Sequence, residues 1–149
     1  MKSLYDANAV AEVKQRLGQL TPESPRQWGK MTPAQAVAHC SAALEVPLGD
    51  SSPPLAMIGR LIGWIFRPQY SNEKQFRKDM PTDPAFIVAG DRDLDVERRR
   101  LTGLIDRFAS TKPEDCSGRT HSFFGRLTGA EWGKGMYKHL DHHLRQFGV

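Results

Sequence analysis

TGAEWGKGMYKHLDHHLRQFGV (128–149) holds the clearest helix start in the chain. Thr128 and Glu131 stand three residues apart before an apolar pattern, which is the capping-box signature. This start predicts a helix over 129–147. Three of the five histidines in the chain fall within its HLDHH run, 139–143. The same helix therefore raises the question of whether these histidines form a metal site, a pH-sensitive tail or an accident of composition.

Three further long helices are predicted upstream. An apolar stripe over 6–20, with Asp6 as the cap, predicts the first. A second capping box, with proline at the first helical position, predicts the next helix over 33–46, ending before Pro47. Another apolar stripe predicts a helix over 93–110. The stripes consist of Val10, Val13, Leu17 and Leu20 in the first helix, and of Leu94, Leu101, Leu104, Ile105 and Phe108 in the last.

Four long helical patterns in 149 residues predict one all-α domain over 1–149, an antiparallel four-helix bundle with an extra short apolar helix near 55–66. The stretch 67–90 shows no sustained period. A long irregular segment in a small domain is usually a lid, a wrapped loop or an unrecognised element. No convincing alternating strand pattern is present.

Composition argues against several classes of partner and location. The chain has 21 basic and 17 acidic residues and a pI near 9.3. Its one basic run, ERRR (97–100), lies in a helical pattern and indicates a solvated helix face, so no nucleic-acid binding is expected. Two cysteines are too few for a disulfide framework, and the N-terminus lacks a secretory signal, which favours a cytoplasmic location. The apolar segment 55–66 is too short to span a membrane, although an interfacial contact stays open.

The histidine run has the spacing of a metal clamp. His139 and His143 are one helical turn apart on one face, where two imidazoles can reach one cation. His142 is turned away from His143 and is predicted to lie at the rim. Two histidines make a weak site, so a third ligand is needed from another helix.

His39 is the candidate for that third ligand. It lies midway along the predicted second helix among small neighbours, which leave space around an inward-pointing imidazole. A core histidine satisfied by one hydrogen bond explains the same pattern, and the residues alone leave both interpretations open. Its neighbours on the same face are Gln35, Ala36, Ala42 and Ala43. Adjacent Cys40 is predicted to be a small core residue.

Polar residues near the histidines are candidates for supporting roles. Gln35 and Gln146 would orient a substrate if they face the site, and Asp141 or Glu45 would fix an imidazole by a hydrogen bond. His121 and Cys116 are not expected to be ligands, because both fall in the turn-rich connection before the last helix.

Other chemistries fit the sequence less well. The zinc-protease pattern needs a glutamate directly after its first histidine, but Leu140 follows His139. A di-iron carboxylate bundle needs two Glu-x-x-His motifs, and the chain has none. A triad built on Ser41 or Cys40 lacks a nucleophile elbow.

Two motifs together carry a family resemblance. WGKMTPAQAVAH (28–39) places a histidine on the second helix, and HLDHH follows late in the chain. This combination resembles the DinB-like superfamily of metal-dependent four-helix-bundle proteins. The run HSFFGRLT, followed by EW and the C-terminal stretch, is similar to one uncharacterised branch of that superfamily. The similarity is strongest over 26–46 and 121–149.

The resemblance implies a divalent metal held by His39, His139 and His143 at one end of the bundle. Characterised relatives include enzymes that use low-molecular-weight thiols, with the metal lowering the pKa of a thiol or water. The leading prediction is therefore a metal-dependent enzyme that acts on small molecules by thiol-linked transfer or hydrolysis. Zinc, nickel and manganese all stay open as the metal.

Three alternatives remain at this stage. The same histidines would serve a non-catalytic, structural metal, although no fourth cysteine or histidine stands at a suitable spacing to close such a site. A dimerisation module would bury the apolar segment 55–66 against a partner, which makes a homodimer an expectation to test. A histidine-lined cavity without a metal could hold an organic ligand.

Overall fold

Helices make up most of the protein. A computed structural model describes residues 1–149. Its helices are α1 (Ala7–Gln19), α2 (Pro33–Leu48), α3 (Met57–Tyr70), α4 (Leu94–Ser110), α5 (Pro113–Cys116) and α6 (Gly129–Gln146). One 3-10 turn spans Pro84–Phe86, and strands β1 (Thr120–His121) and β2 (Gly125–Arg126) form an antiparallel pair. The mostly helical composition agrees with the predicted all-α class. None of the helices is both long enough and apolar enough to cross a membrane.

Both predicted capping boxes are present, and they start the two helices that carry the clustered histidines. The Thr32 hydroxyl accepts the Gln35 N–H at 3.2 Å, and the Gln35 side-chain oxygen accepts the Thr32 N–H at 3.0 Å. At the start of α6, Thr128 and Glu131 make the same reciprocal pair, at 3.2 and 2.7 Å. Each box satisfies backbone donors that a helix start otherwise leaves unpaired.

Two helix ends differ from the prediction. Pro47 does not end α2, which continues to Leu48. A proline in the last turn removes only one backbone hydrogen bond, and Gly49, at φ 84°, then closes the helix by donating its N–H to the carbonyls of Glu45 and Val46. Helix α3 likewise extends past Phe66 to Tyr70. Asp6 precedes α1 as predicted, but its carboxylate accepts the Ser3 N–H and makes no capping bond to the helix.

Helices α1, α2, α4 and α6 share one core. Helix α2 packs against α4 and α6, and α1 packs against the same two helices. An ion pair between Arg16 and Asp141, 2.7 Å apart, also joins α1 to α6. The largest fully buried side chains are Trp132, Phe108, Phe147, Leu4, Leu17, Leu44, Leu101 and Ile105.

Most of helix α3 lies outside that core, on the β1–β2 hairpin, and only its last residue, Tyr70, is buried in the core. A Cβ atom at Gly59 or Gly63 would lie 2.5 or 2.0 Å from the Phe123 carbonyl oxygen, so only glycine allows this approach. The opposite face of α3 is apolar and exposed. The predicted apolar helix near 55–66 is therefore present as α3, which is longer than predicted and packs its small residues inward.

The segment 71–93 is fixed by hydrogen bonds to α2, to α6 and to the loop before α2. The Asp79 carboxylate accepts the Gly29 N–H at 3.0 Å, and the Gln35 amide donates to the Gly90 carbonyl at 3.0 Å. Buried Lys138 donates to the side-chain oxygen of Asn72 at 3.1 Å. Of the alternatives that its sequence left open, this segment is a wrapped loop.

Two helical glycines should respond oppositely to alanine. A Cβ at Gly135 would lie 1.9 Å from a ring carbon of Tyr70, whereas a Cβ at Gly103 would meet nothing within 4 Å. Gly135→Ala should lower the free energy of unfolding by about 1–3 kcal/mol through overpacking. Gly103→Ala should raise it by about 0.5–1 kcal/mol, because glycine loses more backbone entropy in a helix. Urea denaturation of both variants measures this difference, and equal effects would contradict the close contact at Gly135.

Candidate metal centre

Three histidine rings from two helices meet at one point. One ring nitrogen each of His39, on α2, and of His139 and His143, on α6, lies within 4.8 Å of the other two. The Nε2 atoms of His39 and His139 are 3.0 Å apart. The three ring centroids are separated by 4.8 to 5.0 Å, so the rings form a nearly equilateral cluster.

A backbone carbonyl fixes the protonation of His39. Its Nδ1 lies 2.9 Å from the carbonyl oxygen of Phe86, in the 3-10 turn. Because a carbonyl oxygen only accepts, Nδ1 must carry the proton. In the neutral ring, the lone pair is then on Nε2, the atom that points into the cluster.

A side-chain amide fixes the protonation of His143 in the same way, with the proton on Nδ1. Gln146 donates its amide N–H to the Trp28 carbonyl at 2.9 Å, which turns its oxygen towards His143. The Nδ1 of His143 lies 2.9 Å from that oxygen and therefore donates to it. The lone pair of neutral His143 is thus on Nε2. Two of the three rings are anchored through Nδ1, as the metal-binding histidines of proteins commonly are.

His139 has no such anchor. Its Nδ1 is buried and has no hydrogen-bond partner. Its Nε2 faces the Nε2 lone pair of His39 at 3.0 Å, so one proton shared between these two atoms satisfies both. A cation would replace that proton, and His139 would then carry its hydrogen on Nδ1.

The surroundings keep the three rings neutral. Burial lowers the pKa of His39, and it lowers the pKa of His139 well below its usual value, with the neighbouring imidazoles adding to the effect. Burial and the adjacent His39 lower the pKa of His143 to about 3, although the Gln146 hydrogen bond opposes this shift. Neutral imidazole is the form that binds metals, so the cluster is ready to bind one at pH 7.

The donor set and its spacing suit a divalent cation. Imidazole nitrogens about 2.1 Å from a tetrahedral zinc ion lie about 3.4 Å from one another. The nitrogens of the cluster lie between 3.0 and 4.8 Å apart, so movements of about 1 Å or less would bring them to that geometry. The cluster has three members, which is the number of protein ligands found in open catalytic sites.

Of the predicted supporting residues, Gln146 contacts a clustered histidine and three others have different roles. The Gln35 amide accepts from Thr32 and donates to the Gly90 carbonyl, and neither bond involves a clustered histidine. Glu45 forms an ion pair with Arg100. Asp141 accepts from Arg16 and Arg145, and it contacts no imidazole.

The remaining histidines lie outside the cluster. His142 packs against Trp28 and Phe76, with ring centroids 5.3 and 6.0 Å away, next to His143 at the rim. The Nδ1 of His121 accepts the Phe123 N–H at 3.0 Å, and burial lowers its pKa to about 4. Cys40 and Cys116 are both buried and free, and neither belongs to the cluster.

An aromatic ring closes one side of the site. Gly135 lies one turn before His139 on α6. The structure places the ring of Tyr70 against Gly135, where a Cβ would lie 1.9 Å from a ring carbon. Tyr70 comes from the end of α3, the part of that helix that the prediction missed.

Two contributors to the site carry no sequence signal of their own. The carbonyls of Phe86 and Trp28 act through the backbone, which every residue shares. Trp28 belongs to the quoted WGKM run, but its contribution to the site is an oxygen common to all residues.

The fold and cluster together define a mostly helical protein with a three-histidine site. The chain belongs to the family described as protein of unknown function (DUF1569), whose model matches residues 2–148. No curated protein and no solved structure matches the chain.

Proposed function

We propose that this chain is a DinB-like, divalent-metal-dependent enzyme that acts on small molecules by thiol-linked transfer or hydrolysis. The observation that carries the proposal is the pair of Nδ1 anchors, from Phe86 to His39 and from Gln146 to His143. They direct two Nε2 lone pairs towards the ring of His139. Buried imidazoles need such partners in any case, but here they leave ring nitrogens of three histidines within 4.8 Å of one another, which packing alone does not require.

The helix contacts support the four-helix-bundle part of the proposal. Helices α1 and α2 each contact both α4 and α6, so these four helices form a closed ring of neighbours around one core. Such a ring is the packing expected of a bundle, in which metal sites are built from side chains on facing helices. His39 and the α6 histidines face one another in this way.

A cation held by three neutral imidazoles keeps coordination positions free, where it lowers the pKa of bound water or a thiol towards neutrality. The residues of this chain hold the site in place. Phe86 and Gln146 keep their histidines in one tautomer and one orientation. Burial of His39 excludes water from its side of the cluster.

The rim provides charge for recognising a substrate. The Lys78 ammonium lies 4.6 Å from the ring centroid of Trp28, which packs against His142 beside the cluster. The positive charge of Lys78 at this position would attract a small thiol that carries a carboxylate. This arrangement supports a small anionic thiol over a neutral substrate.

Metal analysis of protein purified without a histidine tag tests the metal. About one equivalent of zinc, nickel or manganese per chain is expected, and a chain without metal after exposure to each of these ions would overturn the proposal. Cobalt substitution then separates a catalytic site from a non-catalytic one. A small thiol should change the visible spectrum of cobalt in an open site, whereas a closed structural site would show no change.

Gln146 should control metal affinity without binding the metal. Gln146→Leu leaves His143 free to hold its proton on either nitrogen, so metal affinity should fall by about 10–100-fold, as it does when other hydrogen-bond partners of metal-binding histidines are removed. Titration calorimetry with the metal that the analysis identifies measures the change. Gln35→Leu is the matched control, because it removes an amide that makes no contact with the histidines. Equal losses in the two variants would contradict the orienting role of Gln146.

A further inference from the structure

Helix α3 presents its large apolar residues to solvent. Five residues on one face are each at least 52 % exposed: Met57, Ile58, Leu61, Trp64 and Ile65. We call these five residues the α3 face. From their exposed fractions, these five residues leave about 700 Å² of surface in one patch, above the roughly 300–600 Å² that is typical of the largest patch on a monomer.

The inward side of α3 explains why the α3 face has no partner within the chain. Gly59 and Gly63 pack against the Phe123 carbonyl, and Tyr70 fills the space at Gly135. The helix is thus held by its smallest residues and its last aromatic residue. This packing fixes the rotation of α3 about its own axis, and in that rotation the large apolar residues face solvent.

We propose that the α3 face is the interface of a homodimer, in which two copies of α3 pack across a two-fold axis. This proposal stands independently of the metal site. Two such faces would bury about 1,400 Å² in total, within the roughly 1,200–2,000 Å² of stable protein interfaces. In a two-fold arrangement one self-complementary surface meets itself, so an apolar helix face without opposite charges suffices.

The composition of α3 fits an interface between proteins. Residues 55–72 contain no aspartate, glutamate or lysine, and the exposed face holds tryptophan and methionine with Arg60 at its edge. Aromatic residues, methionine and arginine are enriched in interface cores, where lysine and acidic residues are depleted. Trp64, which is 72 % exposed, has the character of an anchor residue.

Charge favours a second copy over a lipid surface. A helix that lies on an anionic membrane carries lysine and arginine along its polar side. The side of α3 opposite the α3 face is packed on the hairpin, and Arg67 makes two hydrogen bonds to Glu131, at 2.8 and 2.7 Å. Arg60 is therefore the one basic residue of the helix free to meet a headgroup. A second copy of the chain, which can pack against an uncharged apolar face, therefore fits the α3 face better than an anionic lipid surface does.

The test measures the oligomeric state of the full chain by sedimentation velocity over a range of protein concentrations. The wild-type chain should be dimeric. Leu61→Glu should raise the dimer dissociation constant by at least about 100-fold, because each dimer would bury the new carboxylate twice. Val96→Glu is the matched control. It changes a residue of α4 that is 51 % exposed, and it should leave the dimer intact. Circular dichroism checks that both variants fold.

Crosslinking locates the interface. Both native cysteines are buried, so Leu61→Cys introduces the accessible thiol and should give a covalent dimer on mild oxidation, while Val96→Cys should not. A wild-type chain that is monomeric throughout would overturn the proposal, as would a Leu61→Glu chain that remains dimeric. Binding of a monomeric wild-type chain to phosphatidylserine vesicles would instead assign the α3 face to a lipid surface.

Discussion

Replacing His139 with alanine should abolish metal binding. His139 completes the cluster with the two anchored rings, and without it His39 and His143 would offer only two nitrogens from two different helices. The loss should exceed the 10–100-fold drop that follows removal of a supporting residue. Metal content of tag-free protein and calorimetric titration of the metal-stripped chain measure it. Helix α6 should persist, because alanine is the better helix former and His139 Nδ1 has no partner to lose.

His142→Ala is the control for that experiment. His142 has the same side chain, lies three residues away on the same helix and packs against Trp28 outside the cluster. Its replacement should leave the metal stoichiometry unchanged. If His142→Ala loses the metal and His139→Ala keeps it, the assignment of ligands on α6 is wrong.

Trp132→Ala should give the largest loss of stability, about 3–5 kcal/mol of the free energy of unfolding. Trp132 is fully buried, and its ring packs against Tyr70 and His121, with centroids 5.9 and 5.6 Å away. Its indole N–H has no hydrogen-bond partner, so the cost would come from lost packing and the cavity left behind. Urea unfolding followed by circular dichroism measures it, since removal of a tryptophan alters the fluorescence signal.

Trp64→Ala provides the comparison for Trp132→Ala. Trp64 is 72 % exposed, and at protein concentrations low enough for the chain to be monomeric its loss should change stability by about 0.5 kcal/mol or less. Similar losses for both tryptophans would show that the packing around Trp132 is loose.

Local sequence signals predicted the parts of the structure that local physics determines. These signals are the capping boxes at Thr32 and Thr128 and the apolar stripes of α1 and α4. Each one is formed by residues that are only a few positions apart in the chain. The spacing of His139 and His143 placed two rings on one face for the same reason. That His39 faces them depended on the packing of α2 against α6, which the residues alone left open.

Contacts between distant backbone groups could not be predicted. The hydrogen bond from His39 to the Phe86 carbonyl joins residues that lie 47 apart, and any residue at position 86 would offer the same oxygen. For a related reason, the sequence could not show which face of α3 packs inward. Its periodicity shows an apolar face, but only the close approach of Gly59 and Gly63 to the hairpin shows which face packs inward.

His39 and His139 are 100 residues apart in the chain, although their nitrogens lie 3.0 Å apart. A bound cation would therefore act as a reversible cross-link that closes a loop across most of the polypeptide. By mass action, an ion that binds only the native chain adds about 2.7 kcal/mol of stability when its free concentration is 100 times its dissociation constant. Chelation would remove that stabilisation, so the melting temperature of the protein would follow the free metal concentration and report site occupancy before any substrate is known.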